Sequence, residues 1–320
     1  MARTTNSEYI QQYRDKIEQS RRWREEEKCD DLWTRMIDMY RGKQYRVESE
    51  EDRLLINMAF ATINVISPSV SVNHPKITVN AKRYEDAPRA VVTEEIVNYW
   101  WKHFECQKEF RRAVKDMLIV GHGWVKTGYR FIEKDVEEYE NSDELASSAP
   151  ESITESELLI TEDRPFVERI SPFDIFVDPD ATNMSDIKWI AQRVKRHLKD
   201  VKKDKRYNTS ARNDASPSHY SKWGINNDGG TVRPRRAESE EDAYVEIWEY
   251  YDVDRGKLSV FCNGGDKFLV TPMDIPFAFG HPFVMLRNYE VPEYFYTMGE
   301  LEAIEPLQQE LNQTRTQMMN

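Results

Sequence analysis

At Gly121 to Trp124 the apolar residues of this chain change period from 3.6 to 2, so any fold must join helices on one side of that point to strands on the other. Before it, Phe110, Val114, Met117, Leu118 and Gly121 fall on one face of a helix. After it, Trp124, Lys126 and Gly128 alternate with Val125, Thr127 and Tyr129, as in a strand entering a sheet. Upstream the pattern is helical. Thr5 and Glu8 are spaced as a capping box ahead of a long helix carrying Tyr9, Tyr13 and Ile17. A second stripe, Trp33, Met36, Ile37 and Tyr40, runs to Gly42. Leu54 to Ile66 reads as a buried helix closed by Pro68, and His74-Pro75 leads into a short strand at Ile77 to Val79. Val97, Trp101 and Phe104 mark one further helix. Downstream, strands are predicted at Phe166 to Ile170, Trp189 to Val194, Tyr244 to Tyr251, Lys257 to Phe261 and Lys267 to Val270, with Asp254-Arg255-Gly256 as a hairpin turn. Helices flanking a mixed β-sheet give an α+β class rather than a repeating βαβ fold.

The segment from Met298 to Asn320 is an amphipathic helix. Ile304, Leu311 and Met318 recur at sevens, Leu307 and Thr314 follow three positions on, and Gln308, Gln309, Gln313 and Gln317 fill the wet side. Pro306 marks a first turn or a kink, and no glycine cap, proline or basic final turn follows the stripe. Such a stripe buries itself against a neighbouring subunit or as an ordinary C-terminal core helix, and periodicity alone leaves both open.

With 320 residues, 39% of them hydrophobic, the chain can bury a sizeable core as one large domain or two modest ones. It reads as soluble: Leu54 to Ile66 is too short for a membrane span and is broken by Asn57 and Asn64, and the opening MARTTNSEYI is no secretory signal. Cys29, Cys106 and Cys262 show neither metal nor disulfide spacing, which points to a reducing compartment. The net charge of −12 is concentrated. From Glu133 to Asp163 twelve acidic residues face the single Lys134, a net of −11, in a stretch read as a long loop or mobile excursion between paired strands. From Lys202 to Arg236 nine basic residues face three acidic ones, as in a phosphate-contacting patch or, more simply, a solvated loop.

Chemistry leaves little trace. Asp174, Asp178 and Asp180 in ISPFDIFVDPDA could hold a metal for a nuclease or hydrolase, but Pro172 and Pro179 around them favour turn chemistry. The histidines are scattered, and His103 with Cys106 lacks a second ligand pair. Gly121-His122-Gly123 lacks the spacing and the strand-to-helix order of a phosphate loop, and is better explained by a helix C-cap and a tight strand entry. No residue is assigned as catalytic, cofactor-binding or metal-binding.

Taken in order, several segments resemble the portal proteins of tailed bacteriophages. They are the Leu54-Leu55-Ile56-Asn57 helix leading to Pro75-Lys76-Ile77-Thr78-Val79; the run from Asp116 through Gly121-His122-Gly123-Trp124 to Tyr129; Ile170-Ser171-Pro172-Phe173-Asp174-Ile175-Phe176-Val177-Asp178-Pro179-Asp180; and Pro282-Phe283-Val284 through Gly299-Glu300-Leu301-Glu302 to Leu307-Gln308-Gln309-Glu310-Leu311-Asn312. The resemblance implies an N-terminal helical region at 1–50, a wing-like α+β domain at 51–292 with the acidic segment 133–163 and basic loop 202–236, and the start of a stem helix at 293–320. The clip, second stem helix, channel loop and crown of such proteins have no counterpart in this sequence.

It further implies a non-enzymatic, cofactor-free subunit of a cyclic homo-oligomer, a dodecamer, at the capsid vertex of the virion, assembled in the host cytoplasm and outside any membrane. Its partners would be further copies, the major capsid protein, terminase, head-tail adaptor or tail proteins, and double-stranded DNA passing without sequence recognition. Gln308, Gln309, Asn312 and Gln313 would face the channel, since neutral amides do not grip DNA, while Ile304, Leu307, Leu311 and Met318 would pack subunits together. Two other classes stand beside this one: a metal-dependent nuclease or hydrolase on Asp174, Asp178 and Asp180, and a DNA-binding scaffold on Lys202 to Arg236.

Overall fold

The computed structural model describes residues 6–43, 55–71, 76–135, 158–217, 243–277 and 279–319. Its class is α+β, with helices around two antiparallel sheets where the sequence suggested one mixed sheet. In the first sheet β1 (His122–Asp135) pairs with β2 (Leu158–Ile170) on one edge and β8 (Phe283–Arg287) on the other. The second runs β3 (Ile175–Val177), β4 (Trp189–His197), β5 (Tyr244–Asp252), β6 (Lys257–Cys262) and β7 (Phe268–Asp274) in that order. Alternation marks a strand but not its partner, which is why β8 joins β1 and leaves the neighbouring β7 in the other sheet.

The first helix is seated through one apolar face. α1 (Asn6–Glu26) buries Ile10, Tyr13 and Ile17 on the second sheet, where the Tyr13 ring stacks 4.1 Å from that of Tyr250. Thr5, half of the expected capping box, lies outside the described residues. Further along α1, Ser20 Oγ donates to Val177 O at 2.7 Å, and the buried Arg24 guanidinium donates to Ile175 O and Asp30 between the Trp33 and Phe176 rings. The chain then turns at Lys28 into α2 (Cys29–Tyr40), which Gly42 ends at φ +76°. α5 (Cys106–Val120) is the hub: α2, Ala59 and Ile63 of α3 (Met58–Val70), and Leu301 share its core.

Three expectations are corrected here. Helix α3 is mostly uncovered rather than buried, with Ala59 and Ile63 its only buried side chains, and Pro68 sits inside it rather than closing it. Ile77 to Val79 joins no ladder among the described residues. Its partners are side chains of α4 (Ala87–His103): the Asn98 amide takes both the N–H and C=O of Ile77, at 3.0 and 2.8 Å, and Glu94 accepts from Val79 N–H. The acidic segment is partly sheet, because β1 and β2 stay paired, with one register shift between Ile132 and Glu133, out to Asp135 and Leu158, while 136–157 lie outside the described residues.

The basic stretch likewise begins as structure. Lys202 and Lys203 end α6 (Leu198–Lys203), and α7 (Thr209–Asn213) follows. Asp204 between them accepts from Arg196 at 2.8 Å and Arg206 at 2.7 Å, so its carboxyl is held below the usual carboxylate range, chiefly by Arg206. Lys222, Arg233, Arg235 and Arg236 lie outside the described residues.

Candidate assembly site around the C-terminal helix

The approach to the last helix is fixed by backbone touching backbone. Gly121 ends α5 at φ +100°, and a Cβ there would stand 1.8 Å from Thr297 O; a Cβ on Gly123 would stand 2.0 Å from Ala113 O. Thr297 Oγ1 donates to Gly121 O at 2.5 Å, and Tyr289 and Met298 exchange main-chain hydrogen bonds at 3.2 and 2.9 Å. The glycines of Gly121-His122-Gly123 thus serve a C-cap and a close approach, as the sequence order suggested. His122 between them is fully buried among Trp33, Trp124 and Tyr296, and burial drives its pKa down to about 3, so it is neutral.

From this junction α8 (Glu300–Met319) runs past α2 and α3. Leu301 is buried in the α5 core, Ile304 is partly buried beside it, and Glu305 pairs with Arg35 at 2.9 Å. One turn on, Gln308 meets the start of α3. Its Oε1 accepts from the backbone N–H groups of Met58 and Ala59, at 3.0 and 3.2 Å, while its Nε2 donates to Ile56 O at 2.7 Å and Asn312 Oδ1 at 3.1 Å. Asn312 Oδ1 also accepts from Ile56 N–H at 3.4 Å. The first N–H groups of any helix lack partners within it, and here α8 supplies them. Pro306, the seventh residue of α8, lies inside it rather than in its first turn.

This geometry divides the residues singled out in the sequence. Gln308 and Asn312 are buried and bonded within their own chain, which corrects their expected place on the wet, channel-facing side; Gln309 and Gln313 are exposed. Of the four expected packing residues, Ile304 and Leu311 are half-buried, whereas Leu307 and Met318 stand 65% and 73% exposed. Periodicity missed the clamp because an amide reads as wet until a distant donor claims it. A signal did exist: Asn57, opening a helix without a charge near it, left free N–H groups that needed an acceptor.

The carboxylate cluster does not converge. Asp174 pairs with Arg193 at 2.9 Å, and Asp178 accepts from the Asp180 N–H at 3.2 Å in a turn of its own backbone. Among the described residues no three His, Cys, Asp or Glu side chains gather as a metal site would require. His103 lies against the Tyr99 ring and Cys106 against Trp100 O, away from a shared centre.

The family of phage P22-like portal proteins matches residues 10–320, from the first turns of α1 to the end of the chain. The chain belongs to that family. In this portal protein the match therefore takes in both sheets, the hub helix and the clamped α8 together. No curated protein matches the sequence. Among the described residues no helix of the portal protein is long and apolar enough to cross a membrane.

Proposed function

We propose that this portal protein is a subunit of a ring at the capsid vertex, a conduit for genome packaging and ejection and a platform for terminase and for head-tail adaptor or tail proteins. The observation that carries the proposal is the two-sidedness of α8. Gln308 and Asn312 commit one side to α3, leaving Leu307 and Met318 bare on the rest of the helix, with Gln309 and Gln313 also exposed. In this reading α8 opens the stem, its bare apolar residues meet the adjacent subunit, and Gln309 and Gln313 face double-stranded DNA. Amides suit that task because they do not hold phosphate as a Lys or Arg lining would. Ring closure needs heterologous contacts, one face of a copy against a different face of the next.

The remaining assignments follow the same reading: residues 1–50, 51–292 and 293–320 as N-terminal region, wing and start of stem, twelve copies to the ring, the major capsid protein around it, and assembly in the host cytoplasm before residence in the virion. Packaging work comes from an external ATP-driven motor, so the subunit needs no catalytic step of its own. Electron microscopy of the purified protein tests the proposal. Rings with a central hole are expected; compact monomers at every concentration would sink it.

A further inference from the structure

The chain carries a net charge of −12, yet from Leu198 to Arg206 five cations face only Asp200 and Asp204, a local net of +3 that leaves the rest of the chain at −15. Helix α6 sorts these charges. Leu198 and Val201 are buried and seat it, whereas Lys199, Lys202 and Lys203, spaced i, i+3 and i+4, share its solvent side, and Lys205 is exposed just beyond. Arg196 and Arg206 take the Asp204 carboxylate, and Asp200, exposed in the first turn, pairs with none of the lysines. Among the described residues none of the four lysines has an ion-pair partner.

The helix itself accounts for part of this arrangement. Cations in a last turn answer the partial negative charge of a helix C-terminus, which explains Lys202 and Lys203. It does not explain Lys199, the second residue of α6, where the same field opposes a cation; like charges at three and four positions also weaken the helix that bears them. The cluster therefore works against its own helix until an anion from outside answers it. Among the described residues no large apolar side chain between Phe131 and Met273 is exposed, so α6 brings no apolar anchor of its own. Protein partners are held chiefly through such anchors, with rim charges adding little. Single strands stack their bases on exposed aromatic rings. Duplex DNA needs neither, because phosphates bind through charge and the release of counterions.

We propose that the lysine face of α6, together with Lys205, is a contact for the phosphate backbone of duplex DNA, held by charge and blind to sequence. It needs one copy only and stands whether or not a ring closes. Lys199→Gln, Lys202→Gln, Lys203→Gln and Lys205→Gln, combined in the full chain, test it. The control replaces four exposed lysines elsewhere, Lys16, Lys82, Lys102 and Lys188, by Gln and so has the same net charge. Binding of a short labelled duplex of mixed sequence is followed by fluorescence anisotropy as salt is raised. For the unaltered protein the logarithm of the affinity is expected to fall against that of salt with a slope of about −3 to −4, roughly a 100-fold loss between about 50 and 200 mM. The α6 variant should lose that slope and most of the binding, and the control should keep both. An unaltered protein that does not bind the duplex, a slope that survives in the α6 variant, or an equal loss in the control would overturn the proposal. Polyglutamate of matched charge serves as competitor, and displacement of the duplex by polyglutamate more effectively than by unlabelled DNA would assign the face to an acidic protein and overturn it as well.

Discussion

Lys126 Nζ on β1 lies 2.6 Å from Glu249 Oε2 on β5, an ion pair that crosses from one sheet to the other. The ammonium also donates to Gln192 Oε1 at 2.9 Å, and the Tyr251 hydroxyl donates to the same Glu249 oxygen at 3.2 Å. Both charges are largely enclosed, so each depends on the other. Lys126→Met is expected to cost about 2–3 kcal/mol by stranding Glu249, less than a fully buried pair would because some water reaches the carboxylate. Adding Glu249→Met should recover much of that loss. Urea unfolding of the single and double variants measures the coupling, and additive losses would show the pair to be idle.

His122 gives the fold an acid limit. Its pKa of about 3 in the folded chain lies below the ordinary value near 6.5, so the unfolded chain binds the proton first. Its contribution to stability is therefore whole above about pH 6.5 and declines as pH falls toward 3, by up to about 1.4 kcal/mol per pH unit. His122→Phe should flatten that part of the profile between pH 6 and 4 in denaturation titrations. An unchanged slope would assign the acid sensitivity to other groups.

Gln308 and Gln309 are neighbours with opposite duties. Gln308→Ala removes the acceptor of the buried Ala59 N–H and a second partner of the half-buried Met58 N–H and Ile56 O, and is expected to cost about 1–3 kcal/mol. Gln309→Ala touches no such group and should stay within about 0.5 kcal/mol. Hydrogen exchange at Met58 and Ala59 should quicken in the first variant alone.

Two glycines with positive φ separate strain from collision. Gly256, at φ +63° with nothing within 4 Å of an added Cβ, should accept alanine for about 1 kcal/mol. Gly121→Ala drives its methyl group into Thr297 O and should lower the melting temperature far more, or prevent folding.

Local pattern carried much of this fold. The stripe of Tyr13 and Ile17, the switch from α5 to β1 and the Asp254-Arg255-Gly256 turn are short-range facts, legible as spacing. Strand partnership was not, since β8 meets β1 across some 160 positions and β3 has only three residues to show a period. The site was half legible for the same reason. The stripe on α8 was plain, but which amides face inward is decided by donors on α3, and Gln308 lies 250 positions from Met58.

The seat of α1 on the second sheet also sets a timetable. Arg14 donates to Cys262 O, a residue 248 positions later, and Tyr13 waits for Tyr250. At about 5–20 residues per second of synthesis, the first helix leaves the ribosome roughly 12–50 s before its resting place exists. Through that interval Ile10, Tyr13 and Ile17 have no sheet to cover, and the segment made first must be among the last to settle.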